Sequence, residues 1–201
     1  MTRCHERQRG AAARPVQVRA ASCLAGLLVV GALLTPNGCV TTREEGPQEG
    51  LTVIEVPFFP QEDFQCGPAA LATVLNYWYG KASTAKRLTP EQIAAAIYSP
   101  TAKGVLGIDL ELHARSNGFQ TEQGAGTIDA LKGAIDKGIP VVLLVDYGFS
   151  VYQRNHFMVV KGYGDGALLV NSGRQENGRI KNEDLLKIWK KTGYWMLLVK
   201  P

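Results

Sequence analysis

Gln65-Cys66-Gly67-Pro68-Ala69-Ala70-Leu71 stands at the head of the strongest helical run in this chain. Pro68 suits a helix's first turn, where an amide hydrogen has no intrahelical acceptor, and Ala69–Tyr79 continues in good helix formers until Gly80 supplies a stop. Cys66 is thereby placed at a helix N-terminus. Free backbone N–H groups and the helix dipole stabilise an anion there, and the thiolate is the nucleophilic form of cysteine. A lone cysteine can also be a small buried hydrophobe. Its position at a helix start, with no partner cysteine elsewhere in the body of the chain, favours the reactive reading.

Outward from this block, Val53–Phe59 reads as an extended segment ending at Pro60. Thr89-Pro90-Glu91-Gln92 is a capping box with Pro at the first helical position, opening a helix to about Tyr98. Ile108–Ser116, stopped by Asn117-Gly118, and Thr127–Lys137, stopped by Gly138, read as two more helices. The period then changes. Pro140–Val145 is a short apolar run of the buried-strand kind, and Phe157–Tyr163, Gly164-Asp165-Gly166 and Ala167–Asn171 read as strand, tight turn and strand. A short helix over Asn182–Lys191 and a strand over Tyr194–Val199 close the chain. Helices first and antiparallel strands after define an α+β domain, with chemistry expected in the cleft between its two parts.

A cysteine nucleophile needs a base. His113 lies mid-helix on a charged stretch and reads as a solvated surface residue, whereas His156 begins a strand, where the backbone fixes its ring at the mouth of the sheet. The returning strand offers Asn171 to orient that imidazole, although Asn171 in Asn171-Ser172-Gly173 is equally readable as a turn residue; Asp165 lies at the far end of the hairpin. Gln61 and the Cys66 N–H are donors for a developing oxyanion, with Gln65 a less suitable candidate because it is adjacent in sequence. No Gly-rich run fits a phosphate loop and no metal-ligand spacing is present, so no cofactor is expected.

The first 38 residues read differently from the rest. Five of the chain's 22 basic residues and one of its 18 acidic residues lie there, which leaves 17 of each in the remainder. The net charge of +4 therefore belongs to the N-terminal segment, and the body has no electrostatic pull toward nucleic acid. An Arg-rich stretch, the apolar run Ala20–Leu34 and a small-residue turn before Cys39 have the layout of a bacterial export signal. The run falls short of the ~20 residues of a membrane-spanning helix. Gly38-Cys39 resembles the end of a lipoprotein signal, which would make Cys39 a lipidation site; an ordinary signal or an uncleaved anchor are the alternatives. The expected organisation is an export signal over 1–38, a polar tether over 39–50 and one domain over 51–201.

Pro57-Phe58-Phe59-Pro60-Gln61, Gln65-Cys66-Gly67-Pro68-Ala69-Ala70-Leu71 and His156-Phe157-Met158-Val159-Val160-Lys161-Gly162-Tyr163 together resemble the double-glycine (bacteriocin-processing) peptidases, a papain-like group. The resemblance runs from about Val53 to the C-terminus. It implies a papain-like fold and a Cys, His, Asp/Asn triad with an oxyanion Gln, mapping onto Cys66, His156, Asn171 and Gln61. The family often has Asp-Pro at the third position, where this chain reads Asn171-Ser172, and its bacteriocin-processing members are commonly fused to an exporter. The expectation is a stand-alone envelope peptidase cleaving a peptide or isopeptide bond, with a peptide or protein partner and membrane attachment through the signal or lipid. An acyl or peptidyl transferase using the same thiol and a catalytically silent papain-fold binding module are the alternatives.

Overall fold

The computed structural model describes residues 50–61, 65–101 and 104–201. The expected signal, tether and Cys39 lie outside the described residues, apart from Gly50. In chain order the elements are β1 (Thr52–Val53), α1 (Cys66–Lys81), α2 (Pro90–Ile97), α3 (Gly107–Ser116), β2 (Gln120–Ala125), α4 (Ile128–Asp136), β3 (Val141–Asp146), β4 (Asn155–Gly164), β5 (Ala167–Ser172), β6 (Gln175–Lys181), α5 (Asn182–Trp189) and β7 (Trp195–Lys200).

Local chemistry accounts for most of these boundaries. Thr89 forms the full capping box, its hydroxyl accepting from the Gln92 N–H while Gln92 Oε1 accepts from the Thr89 N–H at 2.9 Å. Thr127 caps α4 with its hydroxyl alone, which accepts from the Ala130 N–H at 3.1 Å. Asp165 and Gly166 both take positive φ, 49° and 67°, the Asp-Gly turn that matches the twist of the β4–β5 hairpin.

The sheet is antiparallel, in the order β2-β7-β3-β4-β5-β6, with β1 added against β4. Strand alternation sends side chains to two cores. Val142, Phe157, Val159, Leu197 and Val199 meet Leu71, Val74 and Leu75 of α1, Ile93 of α2 and Leu110 of α3. Val141, Leu143, Val145, Met158 and Val160 meet Leu131 and Ile135 of α4 and Leu185 and Trp189 of α5. The helices thus cover both faces of the sheet. Each of these core side chains buries on the order of 2 kcal/mol of apolar transfer energy, which is why β3 and β4 run almost unbroken in hydrophobic residues.

Two strands do not announce themselves in sequence. β2, Gln-Thr-Glu-Gln-Gly-Ala, and β6, Gln-Glu-Asn-Gly-Arg-Ile-Lys, are polar and mostly exposed, and they form the two edges of the sheet. Polar, charged edges discourage pairing with other chains and erase the hydrophobic alternation by which a strand is read.

Candidate active site

Cys66 is the first residue of α1 and is partly buried. Among the described residues, no N-cap side chain bonds the amide donors of this first turn, and the turn itself holds no acidic residue. The helix therefore begins three residues earlier than its run of helix formers, with the thiol at its positive end. Gly67 explains how the helix start sits so low on the sheet. A Cβ at this position would lie 2.2 Å from Val105 Cγ2 and 3.2 Å from the Phe157 ring. The residue after Cys66 thus meets the residue after His156.

His156 is the second residue of β4, opposite Val145. Its Nε2 lies 3.0 Å from Ser172 Oγ, and its ring tilts against Tyr147 with centroids 5.8 Å apart. This is the hydrogen bond the imidazole makes, and it is to the serine and not to the thiol. Burial, reinforced by the positive charge of Arg154, holds the His156 pKa below the ordinary histidine value. The imidazole therefore stays neutral, and able to accept a proton, to lower pH than usual. Burial also pushes the Tyr147 phenol up, with a smaller opposing effect from the Ser172 hydroxyl.

Asn171, expected beside His156, lies elsewhere. It is paired with Val159, and cross-strand partners share a face, so Asn171 points with Val159 toward α1 while Ser172 takes the next face. A bulge between Val160 and Gly162 sets this register by inserting one extra β4 residue. Asn171 Oδ1 instead accepts from the Asn177 N–H at 3.0 Å. Asn177 Oδ1 in turn accepts from Lys161 Nζ at 2.8 Å, and that ammonium is almost wholly buried, with Glu55 3.7 Å away. Asn171 thus joins this polar chain, with its Nδ2 buried and without a partner among the described residues, and the side chain within hydrogen-bond distance of His156 is Ser172. The one-residue offset of a bulge is invisible to counting back from the turn.

Gln61 is tied to the same corner by its backbone, its N–H donating to the Gly173 carbonyl at 3.1 Å. With Asn171, Thr73 and Ala69 it lines a cavity of about 10 Å³, the size of one water. The structure thus brings Gln61, the first turns of α1 and Asn171 around one small space, and His156, Ser172 and Tyr147 into one contact group. His113 is not the solvated residue the charged stretch suggests. Burial and the nearby Lys86 lower its pKa, and its Nε2 is buried without a partner among the described residues. It sits on α3, which packs against α1 and β2. Among the described residues no cluster of three or more His, Cys, Asp or Glu is placed to hold a metal, and no helix is long and apolar enough to cross a membrane.

A cysteine heading a helix that packs on an antiparallel sheet, with a histidine at the start of a central strand, defines the papain-like class of fold. Within that class the chain belongs to the Peptidase_C39 like family, whose model matches residues 53–196. The solved structures agree. A double-glycine motif protease from an AMS/PCAT transporter, in complex with the leader peptide, is 24% identical with a TM-score of 0.58, covering 77% of this chain and 97% of that one. A putative C39-like peptidase from Bacillus anthracis is 15% identical with a TM-score of 0.62, covering 76% and 98%. The peptidase domain of Streptococcus ComA, a bifunctional ABC transporter in a quorum-sensing pathway, is 20% identical with a TM-score of 0.57, covering 75% and 98%. No curated protein matches the chain. Family and fold together point to a cysteine peptidase.

Proposed function

We propose that this protein is a thiol peptidase of the bacterial cell envelope that cleaves a peptide bond through an acyl-enzyme on Cys66. The Cys66 sulfur attacks the carbonyl, His156 takes the thiol proton and returns it to the leaving amine, and water then releases the acyl group. Ser172 holds the imidazole by Nε2, which leaves Nδ1 for the thiol. The Gln61 side chain and the Cys66 N–H are the donors for the oxyanion. The reading is supported by membership of this peptidase family, together with a Cys66 that heads α1 and a His156 near the start of β4 that is held by Ser172. The imidazole's present bond to Ser172 is compatible with it, because catalytic contacts commonly tighten only in the substrate complex.

A peptide substrate is supported by the transporter-derived protease of the same fold, which holds a leader peptide. Envelope location, with Cys39 as the acylated anchor, rests on the Arg-rich start, the apolar run Ala20–Leu34 and Gly38-Cys39. The test is to incubate wild type and Cys66→Ala with an envelope peptide fraction and to follow cleavage products and Cys66 adducts by mass spectrometry. The expected result is cleavage, and a trapped acyl adduct on Cys66 of wild type alone. Absence of both, with the protein folded, would favour a silent binding module. An adduct resolved by an amine instead of water would make the protein a transferase.

A further inference from the structure

The connection between β3 and β4 carries four exposed apolar side chains at one tip. Phe149, Val151 and Tyr152 are 87%, 83% and 79% exposed, and Tyr147 is half-exposed beside them. Single exposed hydrophobics are ordinary, but a cluster held in a fixed turn marks a contact surface. The turn is fixed. The Tyr152 N–H donates to the Phe149 carbonyl at 3.1 Å, Ser150 takes φ of 56°, and Asp146 Oδ1 accepts the amides of Gly148 and Arg154 at 2.6 and 2.7 Å. A Cβ at Gly148 would strike the Tyr152 carbonyl at 1.8 Å, so the loop closes on itself only with glycine there.

Charge says what kind of surface the tip meets. From Tyr147 to Gly164 the chain has no acidic residue, while Arg154 is exposed next to the tip. Lys191 lies directly against it, its Nζ donating to the Gly148 carbonyl at 2.6 Å, and the exposed Lys190 precedes it. Aromatic side chains projecting beyond a ring of Lys and Arg are the signature of insertion into the interface of an anionic bilayer, where rings sit at headgroup level and cations meet lipid phosphates. The segment preceding the domain supplies proximity. Residues 40–49 can extend at most about 35 Å, close to the diameter of a domain this size.

We infer that the Phe149–Tyr152 tip docks the domain onto an anionic membrane surface and thereby presents the His156 corner to peptides emerging from, or anchored in, that membrane. The inference rests on the proposed membrane attachment and refines the substrate class of the proposed peptidase.

The test uses the full chain reconstituted in vesicles of phosphatidylethanolamine and phosphatidylglycerol, with brominated lipids as quencher. Phe149→Trp should add emission that is blue-shifted and strongly quenched, more so than in vesicles of phosphatidylcholine alone, while Tyr98→Trp at the C-terminal end of α2 should add emission that is not. Equal quenching in the two variants, or none in the Phe149→Trp variant, overturns the inference without bearing on catalysis. A second arm compares wild type with the triple variant Phe149→Ser, Val151→Ser, Tyr152→Ser on one peptide, free or lipid-anchored. Docking predicts an unchanged rate on the free peptide and about a tenfold loss on the anchored one, the loss of one of two attachments. An equal loss on both would make the tip a peptide-binding loop and overturn the membrane reading; no cleavage by wild type would count against the peptidase while leaving the quenching result to decide docking.

Discussion

The thiol end and the imidazole end of the site are held by different physics. Cys66 is fixed by packing: Gly67 lets the helix start press against Val105 and Phe157, and the following Ala, Leu and Val residues are sealed in an apolar core. His156 is fixed by a hydrogen bond and a tilted ring contact near the start of a strand, next to an exposed aromatic loop. Packing tolerates little change in volume and depends little on pH, whereas a hydrogen-bonded, partly buried imidazole tolerates shape changes and responds to protons. Substitutions should therefore separate the two ends.

The largest effect should come from removing the base itself. His156→Ala should cut peptide cleavage by roughly 10²–10⁴-fold, the usual range for a general base, with the melting temperature nearly unchanged. A loss of cleavage that tracks a loss of folded protein would instead place His156 among the packing residues. At the other end, Gly67→Ala should act through stability. The added methyl meets Val105 and Phe157 in a core without slack, which should cost about 1–3 kcal/mol, more than any gain in helix propensity. Thermal unfolding is the measurement, with a shift of about 2–4 °C per kcal/mol for a chain this long. An unchanged melting temperature would mean that the helix start is not seated as tightly as the contacts require.

Asn171 and Ser172 give a finer separation, because adjacent residues on one strand serve opposite faces. Asn171→Ala leaves the Asn177 amide without its acceptor and should destabilise by about 1 kcal/mol without moving the pH profile of cleavage. Ser172→Ala should do the reverse, lowering the rate with little loss of stability. Ser172→Asp places a carboxylate where the neutral hydroxyl stands. It should stabilise the imidazolium, move the acid limb of the rate profile to higher pH and leave Asn171 untouched. If Asn171→Ala, and not Ser172→Ala, moves the profile, the orienting role returns to Asn171.

The same contrast decides what could be read from the sequence. The helix carrying Cys66, the capping box at Thr89 and the Gly164-Asp165-Gly166 turn obey rules that act within four residues, and each is recoverable from its own letters. The family likeness was legible too, since it rides on the Cys66 and His156 blocks. The polar edges β2 and β6 were not, because an edge strand is specified by its neighbour. Nor was the partner of His156, which depends on a bulge near Lys161 and on a buried lysine whose only sequence signal is one charged letter in an apolar run. Local chemistry is written locally; register is written across the sheet.

The smallest prediction concerns acid stability. His156 and His113 are both held below the ordinary histidine pKa, first by burial and then by a neighbouring cation, Arg154 or Lys86. The folded state therefore binds protons less readily than the unfolded chain, in which both histidines titrate near 6.5. The stability their neutral forms contribute is complete above that value and is lost as pH falls from there toward the folded-state values. Wild type should melt at lower temperature at pH 5 than at pH 7.5. His113→Gln should recover more of that difference than His156→Gln, because the buried Nε2 of His113 has no partner among the described residues to satisfy a second proton, whereas Nε2 of His156 already meets Ser172. A pH response that survives both substitutions would assign the acid sensitivity to the carboxylates, beginning with Asp146, whose two amide donors hold its pKa below the carboxylate norm at the base of the exposed loop.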